Sequence, residues 1–141
     1  MHEPVMDASE VQSYLAEVFP QIQADPDTAF TVASVEPERC TIRMVASERH
    51  LRPGGTVSGP TLFTLADVAA YACTLAHVGR KALAVTTNLN INFMRKAAPG
   101  PIEGRVRMLK LGRQLAVFEV EMVSGGVTVA HATATYSIPV R

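Results

Sequence analysis

One carboxylate interrupts a long apolar run. In "GPTLFTLADVAAYACTLAHV" (59–78) the only charged side chain is Asp67. Burying an unpaired carboxylate costs several kcal/mol or forces it neutral. A lone acid in such a place is therefore a candidate for chemistry, as general base toward water or as nucleophile. Two plainer readings stay open: the acid faces a gap filled by solvent, or it pairs with an arginine. The stretch just before it, "LRPGGTVSGP", carries Gly54, Gly55 and Gly59 with Pro53 and Pro60. It leads straight into a helix start, where free N–H groups suit a phosphate, a carboxylate or an oxyanion. An ordinary loop–helix junction would look the same. The loop matches neither the Walker A pattern nor the dinucleotide fingerprint.

Other chemistry has less support. Ser58 sits in no GxSxG elbow, and His2, His50, His77 and His131 show no motif spacing. His77, at the helix end, suits the negative end of the dipole, and His131 alternates within a strand and reads as structural. Cys40 and Cys73 are the only thiols, with no CxxC and no zinc-like spacing. They read as buried apolar residues, and no metal or cofactor is expected. Arg95, Lys96, Lys110 and Arg113 gather near strand ends, as a solvated rim or as a holder for an anionic tail.

The elements that must position these residues follow from periodicity. Asp7 and Ser9 precede "EVQSYLAEVF", whose apolar residues fall at helical spacing, giving a helix over about 8–19 closed by Pro20 and Pro26. "AFTVASVE" and "RCTIRMVAS" alternate and predict a hairpin. Residues 47–58 read as loop. The apolar helix starts near Gly59, with Ser58 as N-cap and Pro60 in its first turn, and stops at Gly79. Beyond it "ALAVTTNLNINFMRK" places Val85, Thr87, Leu89, Ile91 and Phe93 on one face and Thr86, Asn88, Asn90 and Asn92 on the other. Three more alternating runs follow, so four consecutive antiparallel strands are predicted. The fold class expected is α+β: a six-stranded antiparallel sheet curled around one long buried helix. The polar strand at 84–95 is an edge that a second copy of the chain would cover.

Composition bounds the function. The 141 residues suffice for one domain with a real core. Thirteen basic and thirteen acidic residues cancel, which removes the electrostatic argument for nucleic acid or an anionic membrane surface. No basic N-terminal region leads into an apolar run, and Leu62 to Val78 carries Asp67 and is short for a bilayer. A soluble cytoplasmic protein is the expectation.

These residues together resemble the hotdog-fold acyl-CoA thioesterases of the phenylacetate-degradation (PaaI-like) type, over roughly residues 30 to 139. That family's pattern is an Asn-x-x-Gly loop, a His-Gly-Gly turn, and an acid seven residues after the second Gly. "RPGGTVSGPTLFTLAD" occupies the pattern, with Asp67 on the acid's position. "VTTNLNINFMRKAAPG" is similar to the following strand, with Thr86 where a Thr or Ser lines the site. "GRVRMLKLGRQLAVFEVEMVSGGVTVAHATATYSI" is similar to the last three strands. Arg52 stands where the family has Asn, Ser58 where it has His, and Pro60 where it has the second Gly. The roles of that Asn and His therefore do not carry over.

The resemblance implies a catalytic set of Asp67, the Gly59 N–H as oxyanion donor, and Thr86 orienting water or carboxylate. It implies substrate contacts from the same loop and the basic strand ends: Arg52, Ser58, Pro60, Arg95, Lys96 and Arg113. It also implies an acyl-CoA substrate and a homodimer or homotetramer in which acid and glycine turn come from different subunits. A protein of this fold that binds acyl-CoA without hydrolysing it is the alternative.

Overall fold

The computed structural model describes residues 1–23 and 29–140, so Pro26 lies outside the described residues. Helix α1 (Ala8–Val18) opens on a capping box, with Asp7 accepting from the Glu10 N–H and Glu10 reaching back to the Asp7 N–H. Pro20 follows within a 3-10 turn, Pro20–Ile22. Strands β1 (Thr31–Glu36) and β2 (Arg39–Ala46) form the predicted hairpin.

The segment read as loop is partly ordered. A 3-10 turn at Glu48–His50 leads into two short strands, β3 (Leu51–Arg52) and β4 (Thr56–Val57). Gly54 and Gly55 both hold positive φ between them, a turn that a side chain would strain. Helix α2 (Gly59–Val78) then runs for 20 residues. Ser58 caps it, its side chain accepting from the Thr61 N–H at 3.3 Å, and Gly79 ends it at φ 89°.

The remaining strands are β5 (Val85–Phe93), β6 (Gly100–Leu111), β7 (Leu115–Ser124) and β8 (Val127–Ser137). One six-stranded sheet has the order β1-β2-β6-β7-β8-β5, antiparallel throughout. β6, β7 and β8 are neighbours in sequence order as expected, but β5 does not stand beside β6. The chain crosses after β5, so that β6 joins β2 in the sheet interior and β5 pairs only with β8 at an edge. Bulges in β1/β2, β5/β8, β6/β7 and β7/β8 bend the ladder, which raises the curl of the sheet.

α2 packs against all six strands. Gly104 on β6 lets the helix come close: a Cβ there would sit 3.2 Å from the Ala69 Cβ. Ala130, Ala132 and Ala134 on β8 are buried and equally small. Leu65, Leu75, Ile42, Phe118 and Met122 fill the rest of the core. Each such side chain stabilises the fold by about 1.5–3 kcal/mol through burial. By length and composition α2 would pass for a membrane span, but the sheet covers most of it. It is the core helix of the hotdog arrangement.

Candidate active site

Asp67 faces out of the core over one end of the sheet. Its Oδ1 accepts two short hydrogen bonds, from the Thr86 hydroxyl at 2.6 Å and from the Tyr136 hydroxyl at 2.6 Å. The main-chain carbonyl of Asp67 lies 2.9 Å from the same Tyr136 oxygen. The carboxylate is therefore held by hydroxyls, and among the described residues no arginine pairs with it. Strict alternation sets Thr86 on the opposite face from Leu89 and Ile91. The bulge between Thr86 and Asn88 shifts the parity by one residue, so that Thr86, Leu89 and Ile91 all turn inward. Tyr136 stands directly across from Thr86 in the β5/β8 ladder.

The cavity beside this cluster measures about 440 Å³ and is lined by Val18, Phe19, Val68, Tyr71, Ala84 and Tyr136 among others. The end of α1 forms one wall. Among the described residues, no lysine, arginine or histidine lines it. Burial, and then the adjacent Asp67 carboxylate, pushes the Tyr136 hydroxyl far above the ordinary tyrosine range, so it stays protonated and donates.

Gly59 lies elsewhere in the chain. It is the first residue of α2, so its N–H has no acceptor within the helix. It packs against the Phe93 ring, with a Cβ there falling 3.3 Å from the ring. A second cavity of about 390 Å³ is bounded by Arg52, Thr56, Gly59, Phe93, Arg95 and Lys96. Thr86 and Phe93 mark opposite ends of β5, roughly 23 Å apart at strand rise. Within one chain the acid and the helix N-terminus do not meet.

The thioesterase superfamily matches residues 54–131, more than half of the chain and a stretch that holds both ends of β5. The chain belongs to this superfamily. A solved protein of Silicibacter sp. TM1040, named a "putative thioesterase", is 51% identical, covering 98% of this chain and 95% of its own, with a TM-score of 0.86. The phenylacetic acid degradation protein PaaI of Thermus thermophilus, solved as a point mutant, is 27% identical over 84% of this chain and 97% of its own, with a TM-score of 0.73. A "putative esterase" of Pseudomonas aeruginosa is 34% identical over 65% of this chain and 69% of its own. The function is accordingly of the thioesterase type, on a hotdog fold of the PaaI kind.

Other expected site residues of this thioesterase fall as follows. The Ser58 hydroxyl is occupied by the cap and by a 2.8 Å bond to Thr61 Oγ1. Pro60 is exposed in the first helical turn. The basic residues do not form one cluster. Arg95 and Lys96 join Arg52 at the glycine end, while Lys110 and Arg113 line a separate cavity at the β6–β7 turn. That turn lies at the acid end, because Leu115 pairs with Ser137 and Ser137 with Val85.

His77 is not a solvent-facing dipole partner. It is buried, its Nε2 accepts from the Glu38 N–H at 2.9 Å, and its Nδ1–H donates to the Cys73 carbonyl at 2.9 Å. Cys40, Cys73 and His77 bring three potential ligand atoms within 4.8 Å of one another, a grouping hidden by the distance between Cys40 and Cys73 in sequence. Both ring nitrogens of His77 are already engaged. The Cys40 thiol beside it and burial hold the Cys73 thiol well above its usual range, the setting of an inert structural thiol. Tyr136 was missed because its place in the β8 alternation marks it only as core.

Proposed function

We propose that this protein hydrolyses acyl-CoA thioesters at sites shared between two copies of the chain. The observation that carries this reading is the placement of acid and glycine at opposite ends of one edge strand. Among the described residues, β5 has β8 on one side and no strand on the other. Two β5 strands paired antiparallel about a two-fold axis near Leu89 and Asn90 would set Thr86 of one chain across from Phe93 of the other. Each acid cluster would then meet a Gly59 N–H, and Arg95 and Lys96 of one chain would approach the end that holds Arg113 of the other. Val85 and Phe93, 57% and 54% exposed on the free edge strand, would be covered. The same pairing removes the edge hazard.

In this reading the acyl group enters the apolar cavity beside Asp67. The thioester carbonyl oxygen points at the Gly59 N–H, which stabilises the charge that develops on it. Asp67 takes a proton from the attacking water, or attacks the carbonyl itself and is released by water in a second step. Thr86 holds the carboxylate. The tetrahedral intermediate collapses with loss of the CoA thiolate, which takes up a proton. Arg52, Arg95, Lys96 and Arg113 provide positive charge for the phosphates of CoA. Ser58 acts through its cap, holding the helix start in place, and Pro60 walls the entrance. The whole chain serves as one cytoplasmic domain, and the dimer pairs again into a tetramer.

A panel of acyl-CoA substrates with free-thiol detection, run beside light scattering, tests this. Thiol release by a dimer or larger assembly supports it. Measurable CoA binding with no release from any substrate would instead make the protein a carrier of the same fold. An active monomer would contradict the shared site.

A further inference from the structure

Asp67 has two carboxylate oxygens, and the chain treats them differently. Among the described residues, both side-chain donors that bond the carboxylate, Thr86 Oγ1 and Tyr136 Oη, end on Oδ1. Two short bonds use the lone pairs that an oxygen of this kind offers in the carboxylate plane. We propose that Tyr136 is a positioning residue that, together with Thr86, saturates Oδ1 and leaves Oδ2 as the oxygen of Asp67 that meets the reacting water or carbonyl. This rests on the reading of Asp67 as the reactive acid and adds to it which atom reacts and what holds it.

Tyr136 is built for that task better than Thr86. Its ring stacks on Tyr71 at 6.1 Å and meets Phe118 edge-on at 6.4 Å, and the side chain is 2% exposed. Packing on two sides fixes the hydroxyl. Thr86 sits beside a bulge in an edge strand with less around it. A hydroxyl that reaches both Oδ1 and the carbonyl of the same residue also ties the carboxylate to the helix backbone, which limits rotation about its side-chain bonds. Phenylalanine would fill the same volume, so packing alone does not call for tyrosine here.

Among the described residues, the polar groups that share the cavity with Asp67 are Tyr136 from β8, Thr86 from β5, Tyr71 from α2 and Gln21 from the turn after α1. None of them is cationic, and the two that bond the carboxylate are hydroxyl donors. In general a donor bonded to the charged form of an acid favours that form, and its removal shifts a titration upward.

The test compares Tyr136→Phe with the parent protein in two measurements. One is the pH dependence of kcat and kcat/KM on the best thioester. The other is the pH titration of the Asp67 carboxyl carbon by NMR in selectively labelled protein, which needs no activity. The expected result is a fall in kcat of roughly tenfold with KM little changed, and an acid limb and a carboxyl titration both moved up by about one pH unit. Thr86→Val moves both the same way. Tyr136→Phe that is folded, and leaves limb, titration and kcat at parent values, overturns the inference. A lower kcat with neither curve shifted also overturns it, because that marks a packing role. Asp67→Asn serves as the separate control. Parent turnover there overturns the functional reading, and the titration of Tyr136→Phe then still reports whether the bond exists.

Discussion

The two ends of β5 are opposites. At the Thr86 end the chain holds a half-buried carboxylate beside hydroxyls and aromatic rings, and among the described residues no cation lines the cavity. At the Phe93 end a helix N-terminus lies beside Arg52, Arg95 and Lys96, and among the described residues no acid lines that cavity. The first end can activate water, but its hydroxyl donors are spent on Asp67. The second can stabilise an oxyanion and attract a phosphate, but it holds no base. Each end supplies what the other lacks, and a strand with one free side joins them. Such a division makes sense for a chain that works in pairs.

The strongest way to break the comparison is to disable each end in turn and then mix the products. Asp67→Asn should cut turnover by roughly 10²–10⁴, the usual worth of a general base. Stability should hold or rise, since the isostere removes a partly buried charge. Gly59→Val should also be inactive, because its side chain enters the cavity beside Phe93. Co-expressed, the two variants should recover about a quarter of parent activity: half of the dimers are mixed, and one of the two sites in each is intact. Purified mixed dimers should show about half of parent activity, which checks this. No recovery, with mixed dimers present, would place the whole site within one chain.

The acid end was partly legible in the sequence. An acid in an apolar helix is a conflict that periodicity exposes, and the cap at Ser58 and the stop at Gly79 obey local rules. Two features were out of reach. Thr86 turns inward only because one extra residue at Thr86–Asn88 resets the strand parity, and a period of two cannot show where a bulge falls. Tyr136 meets Asp67 across 69 residues of chain, a pairing set by the sheet order. That order was itself misread, since β5 pairs with β8 and not with β6. At the glycine end the error was one of grouping: cations close to strand ends in sequence are divided between two ends in space.

The hydroxyl at the acid end also makes a stability prediction. Tyr136 in the unfolded chain loses its proton near its ordinary value of 10.0, while in the fold it keeps it to far higher pH. The sign follows from linkage: a raised folded pKa contributes stability that is full below pH 10 and is lost as pH rises above it. Each pH unit above 10 should cost up to about 1.4 kcal/mol from this one group. Tyr71, raised by its own burial, acts in the same direction and remains in both proteins. Tyr136→Phe should therefore show a shallower alkaline loss than the parent. Denaturant unfolding at several values from pH 9 to above pH 11 measures it, and equal slopes would mean that the hydroxyl is not buried as described.

The smallest expected effect lies at the glycine end, with Arg52. It stands where the resembling family has a neutral Asn, and it is exposed. Three roles are open to such a residue: pairing with Asp67 of another subunit, holding an acidic acyl chain, or facing solvent. Its cavity favours none of the three in full, because Arg95 and Lys96 line it as well. With three cations around one exposed space, each supplies a screened fraction of the attraction for an anion, about 0.2–1 kcal/mol. Arg52→Asn should accordingly raise KM for acyl-CoA by no more than roughly fivefold, leave kcat unchanged, and lose its effect as salt is raised past the screening range. The loss should be equal for neutral and acidic acyl chains, since the charge would act on the CoA phosphates. Steady-state kinetics at low and high ionic strength checks this. A fall in kcat with the acid limb moved to higher pH would show that Arg52 reaches the Asp67 carboxylate in the assembled protein. A loss confined to acidic acyl chains would assign it to the acyl group, and either result would erase the separation of charge between the two ends.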